Sequence, residues 1–202
     1  MNDMPPIIFA TNNIGKIKEI KEIFADLGVP VIPMGEAGIG LDVEENGATF
    51  SENAIIKARA VRAVAPSGAL VLADDSGLEI DHLDKAPGVH SARFMGADTS
   101  YRIKNGELIK QLRGVPDEKR TARFVCAIAA ILPDGSLLTC EESFAGRIAH
   151  EESGANGFGY DPIFYLPEYG MTSAALPREL KNELSHRGKA LRAMHAMLKQ
   201  AL

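Results

Sequence analysis

The sequence predicts a mixed α/β fold, and three features of its pattern indicate this class. Apolar runs of strand length, such as residues 69–73, occur beside segments whose apolar residues recur every three to four positions. Residues 123–132 and 137–146 flank an Asp-Gly turn and predict a long hairpin. Because strands and helices do not alternate strictly, we expect a mixed sheet with antiparallel parts, flanked by helices.

The start of the chain predicts two short strands with a helix between them. Residues 7–10 form the first apolar run, and the second strand lies near residues 31–32. The helix between them is expected to end at Gly28. Its apolar residues fall on one face and are Ile14, Ile17, Ile20, Phe24 and Leu27.

A second helix and a buried strand follow. Thr49-Phe50-Ser51-Glu52 has the spacing of a capping box and predicts a helix to about residue 65. Residues 69–73 are apolar throughout, as expected of a strand covered on both faces. The polar tetrapeptide Asp74-Asp75-Ser76-Gly77 is expected to end this strand, and its composition also fits a simple turn.

The second half predicts a helix over about residues 99–112, then the hairpin. A loop with three glycines precedes residues 162–164, and a last helix runs over about residues 186–202. We find no repeat, low-complexity tract or linker, so the chain is expected to form a single domain over residues 1–202.

The two cysteines lie on opposite arms of the hairpin. A two-residue turn would pair Cys140 with Ala129 and Cys126 with Ser143. This register offsets the two thiols by roughly 10 Å along the strands, beyond the reach of a disulfide. We therefore expect two buried, reduced thiols, as in a cytosolic protein.

The composition is that of an ordinary globular protein, with 46% hydrophobic and 24% charged residues. The net charge of -5 disfavours a protein that binds duplex nucleic acid, because such proteins usually carry a basic surface. The apolar run at residues 7–10 is too short for a signal peptide, and no run approaches the length of a membrane span. We expect a soluble cytoplasmic protein without membrane or nucleic-acid partners.

Residues 11–16, Thr11-Asn12-Asn13-Ile14-Gly15-Lys16, lie between the first strand and the first helix. The N–H groups at a helix start attract anions, and Lys16 adds a positive charge, so this segment could bind phosphate. It is not a Walker A loop, because Ala10 and Ile17 occupy places where that motif needs glycine and a hydroxyl residue. The alternative is a plain helix cap with a solvated lysine.

Three further segments carry polar groups. Asp74 and Asp75, with an acid such as Glu44 or Glu45, could hold Mg²⁺. The stretch Gly157-Phe158-Gly159-Tyr160-Asp161-Pro162 offers aromatic faces on which a base could stack, or aromatic rings that belong to the core. Lys181 and Ser185-His186-Arg187-Gly188 collect cationic side chains, or else form a capped, solvated helix start.

Taken in order, these segments resemble the inosine triphosphate pyrophosphatase family, the Ham1-like non-canonical purine NTP pyrophosphatases. The resemblance covers essentially the whole chain. The pieces that carry it are Thr11-Asn12-Asn13-Ile14-Gly15-Lys16; Glu44-Glu45-Asn46-Gly47-Ala48-Thr49-Phe50 with Glu52-Asn53-Ala54 and Lys57-Ala58; Ala73-Asp74-Asp75-Ser76-Gly77-Leu78; Pro87-Gly88 with Ser91-Ala92-Arg93; Gly157-Phe158-Gly159-Tyr160-Asp161-Pro162; and Ser185-His186-Arg187-Gly188.

The resemblance implies an elongated α/β fold of two lobes with a nucleotide cleft between them, as a homodimer. It implies Mg²⁺ held by Glu45 and Asp75, with Asp75 as the catalytic proton acceptor. It also implies a set of substrate-binding residues, with the triphosphate on the first six and the base on the later ones: Thr11, Asn12, Asn13, Ile14, Gly15, Lys16, Ser76, Phe158, Gly159, Tyr160, Asp161, Lys181, His186 and Arg187.

The implied reaction is the hydrolysis of ITP, dITP and XTP to the monophosphate and pyrophosphate. Donors directed at O6 would select a 6-oxo purine over adenine, because adenine presents a donor at that place. Two alternatives stay open: a nucleotide-binding module without turnover, and an enzyme for other modified nucleotides. One departure from the family pattern is Ala175, where relatives often carry Glu, so the local support of Lys181 is in question.

Overall fold

The computed structural model describes residues 7–26 and 30–202. Within them, seven strands form one sheet in the order β2-β1-β3-β4-β5-β6-β7. The strands are β1 (Ile7–Phe9), β2 (Val31–Pro33), β3 (Leu70–Ile80), β4 (Thr121–Ile131), β5 (Leu137–Ile148), β6 (Phe164–Leu166) and β7 (Met171–Thr172). The helices are α1 (Ile14–Asp26), α2 (Phe50–Val64), α3 (Tyr101–Gln111), α4 (Arg178–Leu184) and α5 (His186–Ala201).

The sheet is mixed, as predicted. β1 pairs in parallel with β2 and with β3, whereas β6 pairs antiparallel with β5 and with β7. β1 and the start of β3 are buried on both faces, which explains why both are apolar throughout. The α/β class inferred from the sequence is therefore confirmed.

The chain forms two compact units. The first comprises the described residues up to Asp75, with Cys126–Glu142 and Arg187–Leu202, and the second comprises Ser76–Val125 and Ser143–His186. Each unit has its own apolar core. Phe9, Phe24 and Leu72 lie in that of the first, and Leu108 and Phe164 in that of the second. The predicted nucleotide cleft between two lobes stays a prediction.

The predicted helices are confirmed, with one adjustment in α1. Ile20 and Phe24 are buried as expected, but Ile14 is 82% exposed, so the apolar face does not include the first residue of the helix. The predicted end of this helix at Gly28, and Leu27 on its apolar face, lie outside the described residues. The short helix α4 was not predicted from the sequence. In the described part of the chain no helix is long and apolar enough to cross a membrane.

The largest correction concerns β3. The sequence predicted that Asp74 and Asp75 end the strand, but β3 continues through both to Ile80. Asp74 and Asp75 are buried in the middle of the strand, with 0% and 6% exposure. The predicted strand end was wrong, as was the alternative of a simple turn, because local composition does not register that cationic and amide side chains from elsewhere in the chain compensate the two carboxylates.

The hairpin turn also differs from the prediction. Gly135 N donates to Leu132 O at 2.9 Å, and Leu132 N donates to Ser136 O at 2.9 Å, so the turn encloses three residues rather than two. Gly135 has a φ of 90°, which suits the third residue of such a turn. Both cysteines remain thiols, but only Cys126 is fully buried, whereas Cys140 is partly buried against the same core.

Candidate active site

The predicted phosphate segment forms a capped helix start. Asn13 Oδ1 accepts from Lys16 N at 3.1 Å, and Thr11 Oγ1 accepts from Asn13 N at 3.2 Å. Asn13 therefore caps α1, and Thr11 in turn fixes Asn13. Thr11 is buried, whereas Asn12 and Ile14 are exposed. The cap interpretation is confirmed for Asn13, and it is compatible with an anion site, because capping leaves other N–H groups of the first turn directed out of the helix.

Lys16 is not the solvated lysine of the alternative interpretation. Its Nζ lies 2.9 Å from Asp74 Oδ2, and its side chain is only 15% exposed. The strand that precedes α1 runs parallel beside β3, so the residues that follow β1 lie near the middle of β3. The Lys16 charge is thereby directed to the carboxylates of β3.

Asp74 lies at the centre of a buried ion network. Its Oδ2 accepts from Lys16 Nζ, and Arg187 Nε lies 3.4 Å from the same oxygen. Arg187 also pairs with Glu19 of α1. Burial disfavours the charged form of Asp74, but the charges of Lys16 and Arg187 outweigh this effect and lower its pKa below the ordinary range. Asp74 is therefore an ionised counter-charge for the two cations.

Asp75 has a different environment, because successive side chains of a strand point to opposite faces of the sheet. Asn53 Nδ2 donates to Asp75 Oδ2 at 3.0 Å. Burial and the charge of Glu45 raise the pKa of Asp75 to about 6, although Lys16 and Lys57 oppose this shift. A carboxyl group with such a pKa can accept a proton near neutral pH, as a general base must.

Glu45 is held by a lysine of α2. Lys57 Nζ lies 2.5 Å from Glu45 Oε1 and also donates to the backbone oxygen of Asp74 at 2.8 Å. Burial disfavours the charged form of Lys57, but Asp74 and Glu45 together raise its pKa. Glu44, the alternative acid considered from the sequence, is exposed.

The donor set of the first unit suits a hard divalent cation. Glu45 and Asp75 supply carboxylate oxygens, which Mg²⁺ prefers, and their mutual repulsion contributes to the raised pKa of Asp75. In residues 7–26 and 30–202, no three His, Cys, Asp or Glu side chains converge as a metal cage. A site with two carboxylates fits Mg²⁺, because this ion usually keeps several waters and binds substrate phosphate.

The glycine-rich loop of the second unit is organised around Asp161. Its Oδ2 accepts from Phe158 N at 2.9 Å and from Lys181 Nζ at 2.8 Å. Its Oδ1 accepts from Ser173 Oγ at 2.7 Å. Lys181 Nζ lies 5.5 Å from the centre of the Phe158 ring. Asp161 thus supports Lys181, so the local support that Ala175 put in question is supplied by another acid.

The loop requires glycine at position 157 because a side chain would not fit there. Gly157 has a φ of 76°, and a Cβ at this position would collide with Asp161 Oδ2 and with Lys181 Nζ. Tyr160 is buried, donates from its hydroxyl to Ser91 O at 2.7 Å, and packs edge-on against Tyr101 at 5.1 Å. Phe158 is only half-buried, so it offers the more accessible face for a stacked base.

The cationic residues near the start of α5 are buried rather than solvated. His186 stacks on Phe124 with ring centres 4.8 Å apart, and Lys181 is paired with Asp161. Arg187 is engaged with Glu19 and Asp74 as described above. Lys181 thus contacts Asp161, whereas Arg187 contacts Glu19 and Asp74. Ser76, the remaining predicted substrate residue, is half-buried in β3.

Sequence reasoning assigned no role to three residues of the first unit. Glu19 pairs with Arg187, Asn53 binds Asp75, and Lys57 pairs with Glu45. Asn53 and Lys57 are four residues apart on α2 and therefore lie on the same face of the helix. This spacing, visible in the sequence, could have indicated that both side chains lie on one face of α2, although not that this face meets β3.

Comparison with known proteins gives matches over nearly the full chain. A model of the Ham1 family matches residues 7–197. The dITP/XTP pyrophosphatase of Desulforamulus reducens is 50% identical over 186 residues, which cover 92% of each chain. That of Clostridium perfringens is 43% identical and covers 98% of this chain and 100% of its own.

Solved structures agree with these matches. The HAM1 protein of Coxiella burnetii has a TM-score of 0.85 and 41% identity, and covers 98% of this chain and 100% of its own. The Ham1 protein of Staphylococcus aureus has a TM-score of 0.85 and 40% identity over the same shares. With this fold and this sequence, the chain belongs to the Ham1 family.

Proposed function

We propose that this protein hydrolyses non-canonical purine nucleoside triphosphates, ITP, dITP and XTP, to the monophosphate and pyrophosphate. The observation that carries the proposal is the buried Asp75, whose pKa is raised to about 6 beside Glu45 and which lies among the charges of Lys16 and Lys57. A proton acceptor poised near neutral pH beside cationic groups is what phosphate hydrolysis requires. Relatives named dITP/XTP pyrophosphatase support the choice of substrate.

In this proposal the first unit handles the phosphates. The N–H groups at the start of α1 and the ammonium of Lys16 bind the triphosphate. Asp75 accepts a proton from the attacking water as the bond between the α- and β-phosphates breaks, and the pyrophosphate leaves with its electron pair. No covalent intermediate is needed, so a nucleophilic Ser or Cys has no part in the reaction.

Mg²⁺ is the proposed cofactor, held by Glu45 and Asp75. When bound, it would neutralise phosphate charge at the scissile bond. Lys57 already neutralises Glu45 in the first unit, so this lysine keeps the acidic pair compatible with the fold in the absence of metal. Hydrolysis of ITP that EDTA abolishes and added Mg²⁺ restores would support the assignment.

The second unit supplies the proposed contacts to the nucleoside. Phe158 stacks on the base, and Asp161 fixes both the Phe158 backbone and Lys181. The residues of this unit proposed to complete the contacts are Ser76, Gly159, Tyr160 and His186, and Arg187 of the first unit is proposed to join them. Donors directed at O6 would favour hypoxanthine and xanthine, because an unpaired buried donor penalises adenine.

The deciding experiment is a side-by-side panel of triphosphates with pyrophosphate release as the readout. We expect kcat/KM for ITP, dITP and XTP to exceed that for ATP and for pyrimidine triphosphates. Pyrophosphate release that is fastest with a modified pyrimidine would instead assign the protein to the alternative of other modified nucleotides. Binding of ITP without any release would assign it to a binding module.

We further propose that the protein is a cytoplasmic homodimer that clears deaminated purines from the nucleotide pool. The support is the family membership and the reduced state of Cys126 and Cys140. Light scattering after size-exclusion chromatography would test the dimer directly, with a mass near that of one chain as the contradictory result.

A further inference from the structure

Asn53 is a buried amide that joins two parts of the first unit. It lies in the first turn of α2 and has no exposed surface. Its Oδ1 accepts from Gly47 N at 2.8 Å, and its Nδ2 donates to Asp75 Oδ2 at 3.0 Å. The proposed function assigns no chemistry to Asn53, although it touches the proposed base and the segment that carries Glu45.

The orientation of this amide is fixed by its partners. A backbone N–H can only donate, so the Asn53 oxygen must face Gly47, and the NH₂ group must then face Asp75. The two contacts are therefore complementary and would both be lost if the amide were reversed. Asn53 is thus held in one orientation, with a donor directed at the Asp75 carboxylate.

The space around Gly47 leaves no room for a side chain at this position. A Cβ at position 47 would lie 2.8 Å from Asn53 Oδ1 and 2.7 Å from Glu52 Cβ. Gly47 is not in the left-handed region, so the need for glycine here is steric rather than conformational. Gly47 lies two residues after Glu45, so the close contact fixes the backbone that carries Glu45.

We propose that Asn53 is a positioning residue that ties the Asp75 carboxylate to the segment carrying Glu45, and so sets the geometry of these two carboxylates for a divalent cation. This inference rests on the proposed function, in which Glu45 and Asp75 hold the metal. Asn53 acts through Asp75 and Gly47 and touches neither substrate nor metal in this role. Partners that orient metal ligands typically affect metal affinity or activity when they are removed.

The test uses two variants that disturb the same link from opposite sides. Asn53→Ala removes both hydrogen bonds, whereas Gly47→Ala keeps the amide and displaces it through the added Cβ. Asn105→Ala is the matched control, because Asn105 is also a buried helical amide, 1% exposed, whose Nδ2 donates to Glu152 Oε1 at 2.8 Å in the second unit. Melting temperatures of Asn53→Ala and Asn105→Ala would measure the common cost of losing a buried amide, and that of Gly47→Ala would measure the cost of the added Cβ.

The readouts are Mn²⁺ binding to the full-length protein by electron paramagnetic resonance and the Mg²⁺ dependence of ITP hydrolysis. We expect Asn53→Ala to weaken Mn²⁺ binding by roughly 10- to 100-fold, Gly47→Ala to weaken it in the same direction, and Asn105→Ala to leave it unchanged. At saturating Mg²⁺, kcat for ITP should fall in both test variants while KM changes little, since the triphosphate contacts are intact.

Mn²⁺ binding by Asn53→Ala that equals that of Asn105→Ala would overturn the inference. If Asn53→Ala does not fold, the Mn²⁺ affinity of Gly47→Ala is the test. An affinity equal to that of the wild type would then overturn the inference. Failure of the proposed function looks different: the wild-type protein would then release no pyrophosphate from ITP with Mg²⁺ present.

Discussion

Asp75 shows how one strand gives neighbouring carboxyl groups opposite properties. Asp74 faces Lys16 and Arg187, which keep it ionised, whereas Asp75 meets Asn53 and the like charge of Glu45. The pKa of Asp74 is therefore lowered while that of Asp75 is raised to about 6. Such a separation of the pKa values of two adjacent carboxyl groups is typical of a base that lies beside a structural counter-charge.

Replacement of Asp75 by Asn should lower kcat for ITP by at least ~100-fold, because the amide keeps the shape but removes the charge and the basicity. The wild-type kcat/KM should rise with pH through about 6 and level off above, since the base is active only when deprotonated. Mg²⁺ at the site would shift this rise to lower pH, because a nearby cation favours the ionised carboxylate. A pH–rate profile of both proteins is the measurement.

Turnover by Asp75→Asn that matches the wild type would remove Asp75 from the mechanism. A wild-type profile that falls as pH rises through 6 would show that the group titrating there acts as an acid instead.

Lys16 and Arg187 should differ in their effect on base selectivity. Lys16→Ala removes a proposed phosphate contact and should weaken hydrolysis of every triphosphate alike. If Arg187 or a neighbour donates to O6, Arg187→Ala should lower the ITP to ATP ratio of kcat/KM by roughly 10- to 150-fold. Steady-state kinetics of both variants with both substrates gives the two ratios.

Arg187 forms buried ion pairs with Glu19 and Asp74, so its replacement has a second possible outcome in which base selectivity does not change. If Arg187→Ala and His186→Ala lose ITP and ATP hydrolysis in equal proportion, these side chains serve the phosphates, the ribose or the fold rather than the base.

Helix α2 illustrates how a local signal supports a distant site. Thr49 Oγ1 accepts from Glu52 N at 3.1 Å, and Glu52 Oε2 accepts from Thr49 N at 3.3 Å, which completes the predicted capping box. The same helix then presents Asn53 and Lys57 to Asp75 and Glu45. The cap therefore fixes the first turn of the helix that orients both proposed metal ligands.

Thr49→Ala should lower the free energy of unfolding by about 1 kcal/mol, the usual cost of losing an N-cap side chain. Thr49→Ser is the matched control, because serine keeps the hydroxyl that accepts from Glu52 N. Urea denaturation monitored by circular dichroism would compare the three proteins. Equal stability of the alanine and serine variants would show that the capping box contributes nothing measurable.

At the scale of the whole molecule, the two aspartates link stability to pH in opposite directions. The folded pKa of Asp75 lies above its ordinary value of 3.8, so its contribution to stability is present below that value and is lost as pH rises through about 6. The folded pKa of Asp74 is lowered, so its contribution is present above its ordinary value and is lost in acid. Free of metal, the protein thus carries a stability cost at neutral pH.

Mg²⁺ should offset this cost by binding the ionised carboxylate. The rise in melting temperature on adding Mg²⁺ should therefore be larger at about pH 8 than at about pH 5, because at the lower pH Asp75 holds a proton that the metal must displace. Differential scanning calorimetry at both pH values, with EDTA samples as the reference, measures the difference. A shift that is equal at the two pH values would indicate that the cation binds elsewhere.

Local patterns along the chain are sufficient to predict the α/β class, the helices α1, α2, α3 and α5, and the segments that carry polar groups. These follow from periodicity and capping, which are local properties of the chain. The capping box at Thr49 is the clearest case, since its spacing predicts the observed bonds. The motifs also identified the family, because their order along the chain is a property of the sequence.

The contacts that these polar groups make depend on the folded chain. The local pattern predicted that the strand ends at Asp74 and Asp75, but ion pairs with Lys16 and Arg187 keep Asp74 inside the strand. The bond from Asn53 to Asp75 joins residues 22 positions apart, and no local pattern encodes it. Burial and long-range charge set the pKa of a carboxyl group, so the chemical difference between Asp74 and Asp75 exists only once the chain has folded.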